Sequence, residues 1–226
     1  MKNFTLMILC AGFGSRMLNL THNTPKPLLK YKNKILLKNT IDFFIDIGCD
    51  EILVNTHYLH NKIKKYLEKN FKNYSIQIVY EKTILGTGGG VKNIFDHTKR
   101  KKICIVNSDI FWTKKNKLHI EHFISNYQNV SHCKMLLSKD VNFLGLKKEK
   151  GDFYLKRNVV TNWKYKNEKL YYSGLQIVSK NIFNNRKKIF PMNEIWTKLL
   201  KKSEIKGYVI PSKIRHIGDK KSYFEN

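Results

Sequence analysis

The sequence predicts an α/β fold in three layers, α/β/α, with a mostly parallel mixed central sheet. Two observations carry this. The first half of the chain alternates short apolar runs with segments of helical spacing, a βαβα order that places parallel strands between helices on both faces. The second half loosens into strands with little helix between them, so it is expected to add antiparallel strands to the same sheet or lean on its end.

The elements follow in order. Thr5 to Cys10 is an apolar strand that stops at a glycine-rich turn. Ile35 to Ile47 places Ile35, Leu36, Leu37, Ile41, Phe44, Ile45 and Ile47 mostly at helical spacing and ends at Gly48. Glu51 to Tyr58 reads as strand, Asn61 to Phe71 as helix, Ser75 to Tyr80 as strand, and Gly89 to Phe95 as the start of a helix. Lys102 to Val106 is a fourth buried strand. Beyond Asp109, Leu118 to Tyr127 reads as helix and Cys133 to Ser138 as strand. Asp152 to Leu155, Val159 to Tyr165 and Tyr171 to Val178 are further strands, Asn193 to Leu200 is a late helix, and Tyr208 to Ile210 with Ile214 to Ile217 close the chain. No Pro- or Ser-rich linker and no repeat interrupts this pattern. One domain over 1–226 is expected, with one half over about 1–112 and a second over about 113–226.

With 226 residues and 42% apolar side chains the chain has enough material for a sizeable core. No segment approaches the ~18 uninterrupted apolar residues of a membrane-spanning helix, and Met1-Lys2-Asn3-Phe4 runs into a strand with no secretory cleavage pattern behind it. A cytoplasmic protein without membrane contact is expected, as a monomer or small homo-oligomer. The four cysteines are widely spaced, with no C-x-x-C pair, and read as buried thiols rather than a disulfide or zinc framework.

Charge is the outlying property. Lys plus Arg number 43 against 17 Asp plus Glu, a formal +26, which raises nucleic acid as a partner. The composition argues otherwise: 38 Lys against 5 Arg, with 23 Asn, 24 Ile and one Ala, describe a drift of the whole chain. Specific readers of nucleic acid favour bidentate Arg and a recognisable reading element. Neither is visible, so no specific nucleic-acid partner is expected.

The chemistry concentrates after the first strand, in Ala11-Gly12-Phe13-Gly14-Ser15-Arg16, followed by Pro25-Lys26-Pro27. Glycines directly after a buried strand let backbone N–H groups approach a phosphate chain. Arg16 stands where the dinucleotide pattern has its third glycine, and no G-K-S/T follows as in a P-loop. A glycine turn with one guanidinium and one lysine suits a nucleoside triphosphate. Asp109, at the end of the strand Ile103-Cys104-Ile105-Val106, points into the crevice where open α/β sheets bind ligands. It is the candidate ligand for Mg²⁺, which takes one or two carboxylates plus phosphate oxygens.

G-x-G-x-R followed by P-K-P resembles the signature of the nucleotidyltransferases that make nucleoside-diphosphate sugars from sugar 1-phosphates. Three further segments match in order: Glu81 to Gly90, resembling the loop that closes on base and ribose; Asn107-Ser108-Asp109, resembling the N/G-x-D metal motif; and Ser173-Gly174-Leu175, resembling the T-G-I/L segment near the sugar. The resemblance implies a Rossmann-like fold, a nucleoside triphosphate and Mg²⁺. It assigns Arg16, Lys26 and Asp109 to catalysis and Ala11, Gly12, Gly14, Glu81, Gly86, Thr87 and Gly88 to the nucleotide. To the sugar phosphate it assigns Asn107, Gly151, Gly174, Asn193 and Glu194; helix-start capping is an equal reading for the last two.

One position departs from the family pattern. Members commonly carry a second metal-binding Asp in a D-I/V-G-T segment, and here Arg215-His216-Ile217-Gly218-Asp219 puts His216 in that place. Neutral imidazole is a poorer ligand than carboxylate for a hard ion. Either His216 completes the site through a water, or it orients phosphate, or Asp219 compensates. Glu81 can accept N–H donors from uracil or guanine, so UTP and GTP both fit. Asn55 to Leu59, the glycine run and Asn107 to Trp112 look most like the N-acetylmuramate 1-phosphate uridylyltransferases, with mannose 1-phosphate guanylyltransferases next. A catalytically silent nucleotide sensor is the competing reading that His216 motivates.

Overall fold

The computed structural model describes residues 3–146 and 148–225. Met1 and Lys2, where the absence of a secretory pattern is read, lie outside them. Nine strands form one sheet: β1 (Phe4–Cys10), β2 (Cys49–Thr56), β3 (Ile76–Tyr80), β4 (Lys102–Asn107), β5 (Cys133–Lys139), β6 (Phe153–Lys156), β7 (Val159–Asn162), β8 (Leu170–Ser179) and β9 (Ile205–Ile210). Their order across the sheet is β6-β7-β9-β5-β8-β4-β1-β2-β3. The pairings β4–β1, β1–β2, β2–β3 and β5–β9 are parallel, while β7 and β8 pair antiparallel with every neighbour. The second half therefore joins the same sheet, and β8 enters it between β4 and β5 rather than at its end.

Period-two alternation along β1 explains the three layers. Phe4, Leu6, Ile8 and Cys10 face one core with Leu37, Ile41 and Phe44 of α1 (Leu36–Asp46), Ile63 and Leu67 of α2 (His60–Asn70), and Ile120 and Phe123 of α4 (Lys117–Ser125). Met7 faces the other, with Val91 and Ile94 of α3 (Gly86–Ile94) and Ile195 and Leu199 of α5 (Asn193–Lys201). A central strand buried on both faces has no solvent side to mark with polar residues, and Thr5, the polar exception, donates to Glu51 Oε2 at 2.6 Å. Cys10, Cys104 and Cys133 are buried free thiols and Cys49 is half-buried. Among the described residues no helix is long and apolar enough to cross a membrane.

Element boundaries follow the sequence closely, with one informative exception. The helix expected from Gly89 begins at Gly86, so the glycine run is helix rather than loop. The reason lies about 100 residues away: the segment 188–191 packs on it, with Gly89 N donating to Phe190 O at 3.0 Å, Phe190 N to Leu85 O at 3.0 Å, and Met192 N to Thr87 Oγ1 at 2.9 Å. A Cβ at Gly89 would stand 2.3 Å from the Lys188 carbonyl oxygen, and one at Gly88 would stand 2.4 Å from the Phe190 ring. Gly89→Ala is expected to lower stability by about 2 kcal/mol, since backbone cannot yield as a side chain does; urea denaturation measures it, and a loss below about 0.5 kcal/mol would contradict this packing.

A three-stranded patch completes what the site needs. Ile110–Phe111, Ile214–His216 and Phe143–Leu144 pair side by side, with His216 opposite Ile110, and Ile217 N donates to Asp109 O at 2.7 Å. This pairing carries the C-terminal segment back to the end of β4.

Candidate active site

Two cavities, each of about 380 Å³, open along the C-terminal ends of the strands and share Arg16 and Asn107 in their walls. The crevice is where an open α/β sheet is expected to bind. The first lies on the glycine turn, β1, β2 and β4, and it is walled by Ala11, Gly12, Gly14, Lys26, Glu81, Gly86, Thr87 and Asp109. The second lies toward β8 and α5, with Phe143, Phe153, Tyr172, Gly174, Trp196 and His216 in its wall.

The glycine turn has two kinds of glycine. Gly14 takes φ +68°, and a Cβ there would press on Thr21 and Lys26, so the bare fold requires it. Gly12 is different: a Cβ would meet nothing within 4 Å, and the space it leaves open belongs to the cavity. Arg16 is exposed at the start of a 3₁₀ segment, Ser15–Thr21, and borders both cavities.

At the junction stands a buried ion pair. Lys26 Nζ lies 2.7 Å from Asp109 Oδ2 and donates to Gly218 O at 3.1 Å. An ammonium has three donors, so one remains for a phosphate oxygen. His216 Nε2 approaches the same Asp109 oxygen at 3.4 Å. Burial pushes the Asp109 carboxyl up, but the His216 hydrogen bond and the Lys26 charge outweigh it and hold the group well below the usual carboxylate range. Its other oxygen, Oδ1, is buried without a partner, as is His216 Nδ1. An ionised, orphaned carboxylate oxygen beside a phosphate-sized opening fits a hard divalent cation. Among the described residues no three His, Cys, Asp or Glu side chains gather into a ligand set, so such an ion would take its other ligands from phosphate and water. Asp219 is not available to compensate: it caps α6 (Lys220–Phe224), accepting from Ser222 N at 2.8 Å.

Several expected residues take other roles. Glu81 borders the first cavity, but Oε1 accepts from Asn55 Nδ2 at 2.7 Å and Oε2 from Leu85 N at 3.0 Å. Asn55 Oδ1 in turn accepts from Cys10 N at 3.0 Å. This relay ties the ends of β1 and β2 to the loop before α3, so Glu81 holds that loop while bordering the first cavity. Gly88 supports Phe190 and is absent from the cavity wall, and Gly151 lies against Trp163. Asn193 is exposed, and Glu194 is held by Arg186 and Lys187; neither these two nor Gly151 lines the second cavity. Sequence reasoning missed Asn55, a polar residue closing the run Ile52-Leu53-Val54 and therefore visible in principle. It also missed Tyr172 and Trp196, which carry no local signal because both read as core aromatics.

A glycine turn and a buried Lys26–Asp109 pair thus stand beside two adjoining cavities at the edge of an α/β sheet. The nucleotidyl transferase family profile matches residues 5–142, and the chain belongs to that family. It is 24% identical to the D-glycero-alpha-D-manno-heptose 1-phosphate guanylyltransferase of Campylobacter jejuni, over 96% of both chains. The corresponding enzyme of Aneurinibacillus thermoaerophilus is 29% identical over 119 residues, about half of each chain (53% and 52%). To the N-acetylmuramate alpha-1-phosphate uridylyltransferase of Caulobacter vibrioides it is 25% identical over 94% of this chain and 91% of the other. The crystal structure of HddC from Yersinia pseudotuberculosis complexed with GMP-PN superposes with a TM-score of 0.77 at 21% identity, over 98% of this chain and 96% of that one. The fold is thus that of the nucleotidyltransferases.

Proposed function

We propose that this protein transfers a nucleoside monophosphate from a nucleoside triphosphate to a sugar 1-phosphate, releasing pyrophosphate. The observation that carries the reading is the junction itself: two cavities meeting at Arg16 and Asn107, beside a buried Lys26–Asp109 pair with one carboxylate oxygen unpartnered. The triphosphate takes the cavity on the glycine turn and the sugar phosphate takes the aromatic one. A phosphate oxygen of the sugar 1-phosphate attacks the α-phosphorus in line, a new P–O bond forms, and the bond to the β-phosphate breaks. Phosphate monoesters are anionic near neutral pH, so no protein base or nucleophile is required, and alignment with charge neutralisation is the whole task. Lys26 offers its third N–H to the triphosphate, and Arg16 bridges the anions of both cavities. Mg²⁺, held by Asp109 and phosphate oxygens, supplies further neutralisation of the transferred group when bound.

UTP with N-acetylmuramate 1-phosphate, a reaction of peptidoglycan recycling, is the pair we assign, supported by the near full-length relative from Caulobacter. GTP with a heptose or mannose 1-phosphate is the second reading, supported by the equally extensive Campylobacter relative. A matrix of nucleoside triphosphates against sugar 1-phosphates, with and without Mg²⁺, tests both. Pyrophosphate release from one pair is expected; none from any pair would leave the silent-sensor reading standing instead. In the same assay His216→Asp is expected to keep or raise Mg²⁺-dependent turnover, because a second carboxylate suits a hard ion better than imidazole. A loss beyond about tenfold in a folded variant would sink the view of His216 as a metal-side group.

A further inference from the structure

The second cavity contains a polar atom that the fold itself leaves unsatisfied. Tyr172, near the start of β8, has a buried hydroxyl that lacks a well-formed hydrogen bond among the described residues, with the Gln176 side chain near enough to favour its ionised form. Its ring stands 4.9 Å from that of Trp196 in an edge-to-face contact, and Phe153 packs on the other side of Trp196 at 6.1 Å. All three line the cavity. The groups around Tyr172 are already committed: Trp196 Nε1 donates to Gln176 Oε1 at 2.9 Å, Asp152 Oδ1 accepts from Lys148 Nζ at 2.7 Å, and Asp152 Oδ2 accepts from the Tyr172 backbone N–H at 3.2 Å. A register shift between Tyr172 and Gln176, around Gly174 at φ +83°, breaks the β8–β5 ladder at this place, and bulges of this kind re-aim side chains beside functional sites.

An orphaned buried hydroxyl costs about 1–3 kcal/mol, and a core position here would be served as well by Phe. What the hydroxyl adds is a demand on whatever fills the cavity. We propose that Tyr172 selects the acceptor, donating its hydroxyl proton to a hydroxyl or acyl oxygen of the sugar seated against Trp196 and Phe153. The inference rests on the transfer reaction proposed above and extends it to the residue that chooses among sugar phosphates. Burial raises the phenol well above its usual range, with Cys133 and Asp109 adding to this and hydrogen bonding from the Gln176 side chain opposing, so the group stays protonated at neutral pH. A site that presents a buried hydrogen-bonding group rejects ligands lacking the complement far more strongly than an apolar pocket does. Aromatic walls suit the C–H face of a pyranose, and the Tyr172 hydroxyl supplies the discrimination.

Tyr172→Phe removes one oxygen and keeps the ring. Wild type and variant are compared with N-acetylmuramate, N-acetylglucosamine, mannose and glucose 1-phosphates, measuring kcat and KM for both substrates together with Tm. The variant is expected to raise KM for the best acceptor about 10- to 100-fold, leave KM for the triphosphate within about threefold, and narrow the spread of kcat/KM across the panel. Its Tm is expected to stay level or rise, because an unsatisfied buried group has been removed. A variant that loses Tm while keeping acceptor KM would show the hydroxyl to be structural and overturn the assignment. So would a variant that raises both KM values equally. Absence of turnover by the wild type with every acceptor would instead overturn the transfer reading on which the assignment rests.

Discussion

Asp109→Asn is expected to lower pyrophosphate release by about a thousandfold or more, the largest effect of any single substitution in the site. Two losses combine. The orphaned Oδ1 no longer offers a charged ligand to the divalent cation that would neutralise the transferred phosphate, and metal-ion stabilisation of this kind is worth roughly several kcal/mol. Lys26, 2.7 Å from Oδ2 with only 10% of its side chain exposed, is left without its counter-charge, and breaking a buried pair from one side costs about 3 kcal/mol. The stability part has a pH signature. The Asp109 carboxyl is depressed in the folded state, so its contribution is complete above the ordinary carboxylate value and is lost as pH falls through the lower folded value. Urea denaturation of wild type and variant should therefore differ most near neutrality and converge toward strong acid. A stability gap that persisted unchanged into acid, or turnover within about tenfold of wild type, would contradict the pairing.

Arg16→Ala should show the opposite combination: a loss of about 10²- to 10³-fold in kcat/KM with stability changed by less than about 0.5 kcal/mol. Arg16 is exposed and borders both cavities, so the fold does not lean on it while both anions do. Arg16→Lys is expected to recover only part of the activity, because an ammonium lacks the planar fork that holds two phosphate oxygens at once. Initial rates with each substrate varied in turn, alongside Tm, measure this. A variant within about threefold of wild type would remove Arg16 from the chemistry.

The contrast between these residues shows what could be read in advance. Arg16, Lys26 and Asp109 were visible because each stands beside a punctuation mark in the chain: a glycine turn, a pair of prolines, the end of an apolar strand. Their roles still needed the fold. Lys26 and Asp109 are 83 positions apart, and only the closure of the sheet reveals that one neutralises the other. The glycine run at 86–90 shows the limit in reverse. Its resemblance implies a loop that closes on base and ribose, yet the helix begins on it and Gly88 and Gly89 make room for Phe190 and Lys188. Glu81 likewise carries the right chemistry for a base but spends both oxygens on Asn55 and Leu85. Asn193 and Glu194 have the right residue types at a helix start, yet neither is in the wall of the second cavity: Asn193 is exposed and Glu194 pairs with Arg186.

The sequence by itself determined the α/β class, the placement of most elements, the glycine turn after β1 and the carboxylate at the end of β4, because periodicity and glycine placement act within a few residues of where they are written. Tertiary structure alone decided that β8 runs antiparallel between β4 and β5, that the C-terminal strand returns His216 to Asp109, and that Tyr172 and Trp196, packed against the core, also wall the second cavity. Those outcomes depend on contacts between residues far apart in the chain. A buried aromatic and a cavity-lining aromatic have the same local pattern, and only the packing around them distinguishes the two.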